Sequence, residues 1–209
     1  MIKEDELSIK IMESKIIFGK KINERAIDFI NMGKSRNDSL FIELCFCILT
    51  ANTSAEMGIR TQRTIMNGFI DYPEEKLRDE LKAAKYRFYN KRASYIVGAR
   101  PVRKNIKKLI AGMDHFSLRE YLVNNIKGVG YKEASHFLRN IGIFDFAILD
   151  KHILKLMKDY GYTDNIKLGT RKDYLEKERV FNSIASVYGL APGILDLYLW
   201  QIATGKILK

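Results

Sequence analysis

Lys132 and Asp150 are the residues whose types and placing could do covalent chemistry. Lys132 stands two residues past the second glycine of Gly128-Val129-Gly130, and Asp150 follows 18 residues later, where a periodic run containing His152, Ile153 and Leu156 begins. A neutral lysine amine is a nucleophile that forms imines, and a fixed carboxylate stabilises positive charge that develops nearby. A lysine in the first turn of a helix opposes the helix dipole, so stability alone does not ask for one there. Asp150 reads as a helix N-cap, its charge stabilised by backbone N–H groups. The plainer alternatives are a phosphate-binding lysine and a bare cap.

The elements that must position this pair lie within residues 124–150, which read as helix, tight hairpin and helix. Gly128 and Gly130 bracket one apolar residue, Val129, as suits a backbone that turns sharply and comes close to something. A helix starting near Tyr131 aims free N–H groups and the positive end of its dipole out of the turn, so an anion such as a phosphate is expected there. Lys127 and Lys151 are the cations expected beside Lys132, favouring its neutral amine.

The 209 residues carry 36 Lys and Arg against 25 Asp and Glu, a net charge of +11 that favours a polyanionic partner, nucleic acid above all. Cys45 and Cys47, two apart on one apolar run, do not share a helix face and read as small buried hydrophobes rather than chelators. His115, His136 and His152 are too scattered for a zinc site. No run of 18 apolar residues occurs and the N-terminus is charged from Lys3, so neither a spanning helix nor a secretory signal is expected. The chain is expected to be cytoplasmic and nucleoid-associated.

Helical periodicity recurs throughout, and period-two alternation does not. Residues 4–32 place Ile9, Met12, Ile16 or Ile17, Ile27 and Ile30 at helical spacing, and polar residues 33–39 break the pattern. Residues 40–51 are apolar almost all round, interrupted by Glu43, as suits a central buried helix. A loop at 50–54 follows, in which Asn52 either projects or caps the next helix. Residues 54–69, 73–83 and 93–110 read as further helices, the last carrying Arg100, Arg103, Lys104, Lys107 and Lys108 towards solvent. Between them, residues 85–92 interleave cations with Tyr86, Phe88 and Tyr89, either a base-stacking surface or a buried aromatic cluster. Ser117 is expected to cap the helix leading into the hairpin. Helices at 153–160, 173–188 and 192–203 complete an all-α chain.

Four separated motifs resemble a known family. Ile126-Lys127-Gly128-Val129-Gly130-Tyr131-Lys132, followed by Leu149-Asp150-Lys151-His152, resembles the helix-hairpin-helix and Gly/Pro-plus-Asp signature of the endonuclease III superfamily, with Lys127 where the hairpin usually has proline. The run from Ile48 through Asn52 to Ser54, the run from Arg87 through Phe88 to Ala93, and the tail from Trp200 to Lys209 are similar to the type 2, archaeal-style 8-oxoguanine DNA glycosylase/AP lyases.

The resemblance implies a two-layer helical glycosylase fold with the hairpin at the mouth of an inter-domain cleft, residues 1–209 forming a single catalytic unit of two helical subdomains. It implies Lys132 as the nucleophile at the sugar C1′ and Asp150 as the stabiliser of charge on the sugar. It further implies that Asn52 enters the gap left by a flipped nucleotide and that Phe88 and Trp200 sandwich its base. On the same resemblance Lys209 is expected to read the N7–H that distinguishes 8-oxoguanine from guanine, amides of Gly128, Val129 and Gly130 to grip phosphate, and carbonyls of Asn124, Ile126 and Val129 to hold a sodium or potassium ion. No required cofactor is expected. The four cysteines that carry an iron–sulfur cluster in endonuclease III are missing here, so no cluster is expected. The implied partner is double-stranded DNA containing 8-oxoguanine or abasic sites, bound by a monomer.

Two rivals stand beside this reading. A non-catalytic helix-hairpin-helix module would have no need of Lys132 and Asp150 at this spacing, and a glycosylase for oxidised pyrimidines would carry the cluster cysteines rather than the C-terminal lysine. A frayed tail is the plainer fate for Lys209.

Overall fold

The structure, a computed structural model that describes residues 3–209, is all-helical among those residues. The chain divides into two compact units, residues 31–141 forming one and residues 1–30 with 142–209 forming the other.

The unit of residues 31–141 is built on α2 (Asn37–Thr50), buried from Leu40 to Thr50 at every position but Ile42. Its polar interruption, Glu43, is buried with it, and one carboxylate oxygen accepts from Asn140 Nδ2 at 2.6 Å while the other accepts from Gln62 Nε2 at 3.2 Å. A buried carboxylate needs such donors, and these tie α2 to its neighbours. Cys45 and Cys47 are free and buried on the same helix, and burial pushes the Cys45 thiol well up.

Around α2 lie α3 (Ala55–Ile65), α4 (Gly68–Asp71), α5 (Glu74–Ala83), α6 (Tyr89–Arg103), α7 (Ile106–Gly112), α8 (His115–Asn125) and α9 (Tyr131–Asn140). Three expectations change here. The single helix over 54–69 is broken at Met66, whose φ of +46° ends α3. The helix over 93–110 is two, α6 running through Pro101 to end at Arg103 and α7 starting at Ile106. Arg100 does not face solvent: it donates to the carbonyls of Phe69 at 3.0 Å and Tyr72 at 2.5 Å, while Arg103 pairs with Asp38 and holds that carboxyl below its usual range.

The helix entering the hairpin is also capped by a different residue. Asp114, not Ser117, caps α8, one carboxylate oxygen accepting from the amides of Phe116 and Ser117 at 3.0 Å each. Ser117 sits at the third helical position, where its own amide is one that a cap must satisfy.

The other unit contains α1 (Lys3–Gly33) through Ile30, with α10 (Lys151–Asp159), α11 (Arg171–Val187) and α12 (Pro192–Thr204). The buried stripe of α1 is Leu7, Ile11, Ile22 and Phe29, with Ser14 donating to Gln201 on α12 at 2.7 Å. The apolar positions singled out from the sequence, Ile9, Met12, Ile16, Ile17, Ile27 and Ile30, are all exposed, Ile16 to 82%. Both series have helical spacing, so periodicity alone does not choose between them. Ile22, Phe29, Leu197 and Tyr198 make a core on which Phe18, Phe144, Leu190, Ile194 and Ile207 pack. No single helix is long and apolar enough to cross a membrane.

Candidate active site

Residues 126–130 form the hairpin between α8 and α9. The Ile126 amide donates to the Leu122 carbonyl and the Val129 amide to the Ile126 carbonyl, each at 3.1 Å. Gly128 has a φ of +86°, and a Cβ there would lie 2.3 Å from the Tyr95 ring, so two separate constraints demand glycine. Gly130 is the N-cap of α9, and its amide is not free: it donates to Glu133 Oε2 at 3.1 Å. The unshared amides at the hairpin exit are therefore those of the first helical turn, beginning at Tyr131.

Lys132 lies in that turn, its side chain mostly covered, with Nζ 2.9 Å from Glu133 Oε1 and 3.5 Å from the Thr50 carbonyl. The charged group in contact with the amine is an anion, the Glu133 carboxylate. Lys127 is exposed at the hairpin tip and lies 5.9 Å from the Tyr95 ring centre, while Lys151 is exposed at the start of α10 in the other unit.

Thr50 ends α2 and opens the loop containing Asn52. Ser54 caps α3, accepting from the Met57 amide at 3.1 Å, which removes the capping role from Asn52. Asn52 is exposed with a φ of +60°, a conformation that asparagine tolerates better than most residues. Arg92 supports this loop by donating to the Ala51 carbonyl at 2.9 Å, and the buried Tyr86 hydroxyl donates to the Leu49 carbonyl at 2.5 Å. The aromatic and basic run thus divides in function. Tyr86 is core, whereas Phe88 is half-buried with the guanidinium groups of Arg87 and Arg92 at 5.0 and 5.7 Å from its ring centre.

In the second unit Asp150 caps α10. One carboxylate oxygen accepts from the amides of His152 at 2.8 Å and Ile153 at 2.9 Å, and the other accepts from Trp200 Nε1 at 3.2 Å. The His152 ring meets the Trp200 ring edge-on, with centroids 6.2 Å apart, so His152 serves in packing. Beyond α12 the chain reverses at Gly205, φ +75°, and Ile207 returns to the apolar core of this unit. Lys209 is half-buried, two residues beyond Ile207.

The sequence pattern of the family described as 8-oxoguanine DNA glycosylase matches residues 22–190. The chain belongs to that family. It is 51% identical, over the whole of both chains, to an 8-oxoguanine DNA glycosylase/AP lyase of Picrophilus torridus. Its fold matches the 8-oxoguanine glycosylase/lyase of Methanocaldococcus jannaschii, solved in complex with DNA containing 8-oxoguanine, at a TM-score of 0.94 with 46% identity, covering 97% of this chain and 99% of that one. The 8-oxoguanine DNA glycosylase of Thermotoga maritima matches at a TM-score of 0.94 with 42% identity, covering 98% and 99%.

Two residues of this glycosylase were not singled out from sequence. Tyr95 is the wall that forces glycine at position 128, and Glu133 bridges Gly130 and Lys132. A signal for Glu133 was present, since an acidic residue three past a helix N-cap is half of a capping box.

Gly128→Ala should destabilise the fold by more than 1 kcal/mol, because alanine meets both an unfavourable φ and the Tyr95 ring (~1–3 kcal/mol). Gly98→Ala, with nothing within 4 Å of its Cβ, should leave stability unchanged or slightly raised. Urea unfolding of both variants compares them, and equal stability would remove the constraint from the hairpin.

Proposed function

We propose that Lys132 and Asp150 carry the two halves of this enzyme's chemistry. The protein is an 8-oxoguanine DNA glycosylase with AP lyase activity, and the observation that supports these two roles best is their placement. Each sits at the start of a helix, Lys132 with its amine against a carboxylate and Asp150 with its carboxylate held by three N–H donors.

A base inside a duplex hides its glycosidic bond, so the nucleotide must be extruded before C1′ can be attacked. Asn52, exposed on a loop that Arg92 and Ser54 hold in shape, is proposed to occupy the vacated stack. The hairpin amides of Gly128, Val129 and Gly130 lie beside the first turn of α9, whose dipole favours a phosphate. Lys132 attacks C1′, the base departs, and the resulting imine allows β-elimination on the 3′ side. Asp150, aimed by its N–H donors, stabilises the positive charge that develops on the sugar.

Phe88 and Trp200 offer aromatic faces for the extruded base. Lys209 is proposed to accept the N7–H of 8-oxoguanine through its terminal carboxylate or carbonyl, leaving an unpaired acceptor when guanine is presented instead. The packing of Ile207 supports this reading, because a reader must be held in place. The carbonyls of Asn124, Ile126 and Val129 lie at the negative end of α8 and suit a sodium or potassium ion. The Ile126 carbonyl already accepts one amide and keeps a second lone pair. Such an ion would bridge the hairpin carbonyls to a phosphate of the DNA. The enzyme is proposed to act as a monomer in the cytoplasm, on nucleoid DNA.

Sodium borohydride should trap wild-type enzyme on DNA containing 8-oxoguanine, and Lys132→Gln should bind that DNA yet give neither adduct nor cleavage. An adduct retained in the variant would move the nucleophile elsewhere. Deleting Lys209 should lower the preference for 8-oxoguanine over guanine far more than it lowers cleavage at a bare abasic site. Equal losses on both substrates would show that the tail does not read the base.

A further inference from the structure

An ammonium cannot attack carbon, so the reaction needs a group within hydrogen-bond reach of Lys132 Nζ that can take its proton. The contacts of Nζ are the Thr50 carbonyl at 3.5 Å and Glu133 Oε1 at 2.9 Å. A carbonyl can orient an N–H but does not keep the proton. A carboxylate does.

The contact is not a by-product of helix spacing. Adjacent residues on a helix point about 100° apart and do not ordinarily meet. Here they do, Glu133 reaching back towards the helix N-terminus, where its second oxygen accepts the Gly130 amide at 3.1 Å. The Glu133 side chain is only 12% exposed, so this orientation is enforced by its surroundings. Asp150 is differently employed, with three N–H donors on its two oxygens.

We propose that Glu133 is the proton acceptor for Lys132, an inference that rests on Lys132 being the nucleophile. One proton passes from Nζ to Glu133 Oε1 as the Nζ–C1′ bond forms. The C1′–N9 bond breaks and its electron pair leaves with the base. That base anion takes a second proton from the new secondary ammonium. Glu133 returns its proton to O4′ as the C1′–O4′ bond opens, leaving a protonated imine and a carboxylate, so charge and protons balance. Because the same carboxylate holds the Gly130 amide, movement of the hairpin against a phosphate would be felt at the nucleophile.

Glu133→Gln separates the roles, since glutamine also serves in a capping box and its carbonyl still accepts the Gly130 amide. Single-turnover excision of 8-oxoguanine and borohydride trapping are measured for both proteins from acidic to alkaline pH, with affinity for duplex carrying a reduced abasic analogue and thermal unfolding measured alongside. The variant should fold and bind as wild type, react about 10²-fold or more slowly near neutrality, and recover towards wild type as pH rises and hydroxide replaces the carboxylate. A rate close to wild type at every pH overturns the proposal, as does a loss that is constant with pH. A wild type that forms no adduct overturns the assignment of Lys132 and this inference with it.

Discussion

The carboxylate of Asp150 is the point at which two helices of the second half of the chain are joined. Its two oxygens collect the amides of His152 and Ile153 and the indole N–H of Trp200, so one side chain starts α10 and fastens α12 to that start. The caps of isolated helices contribute about 1 kcal/mol, but this one also fixes a tryptophan whose neighbour Gln201 binds α1 through Ser14. From there Gly205 turns the chain and Ile207 enters the core, which sets the place of Lys209. The three bonds that build the unit also hold the carboxylate in the orientation that its proposed role needs.

The unit of residues 31–141 uses the same economy on the other group. Glu133 closes the N-terminal turn of α9 through Gly130 and meets the amine of Lys132 with its other oxygen. The far end of α9 is fixed to the central helix through Asn140 and Glu43. A lysine at the positive end of a helix is a local fault in stability terms. It stands on an element anchored at both ends, which is where a fold can carry a functional fault without loss of shape.

Features written in local chemistry were legible in the sequence. The glycine pair, the aspartate ahead of an apolar run and the apolar block at α2 each act within a few residues, and all three stand where their spacing put them. Features that depend on what lies opposite were not. The stripe of α1 that faces the core differs from the exposed one only in its neighbours, and both have helical period. Arg100 looked like a surface cation until the carbonyls of Phe69 and Tyr72 came within its reach. Glu133 is of the same kind, since a glutamate next to a lysine in sequence does not ordinarily meet it on a helix, and the reach of its carboxylate back to Gly130 brings it to the amine. Membership of the family was carried by motifs in order, which is a statement about ancestry as much as physics.

The measurement that bears most directly on the union of cap and catalyst is the comparison of Asp150→Asn with wild type in thermal unfolding and in single-turnover excision of 8-oxoguanine. Asparagine caps helices as well as aspartate and its carbonyl can accept the His152 and Ile153 amides, but it brings no negative charge. Its amide nitrogen is a donor and cannot accept the Trp200 indole N–H, so unfolding should shift by the worth of that one hydrogen bond (~1–3 kcal/mol) while excision falls by orders of magnitude. Excision within a few-fold of wild type would reduce Asp150 to a cap and contradict the account.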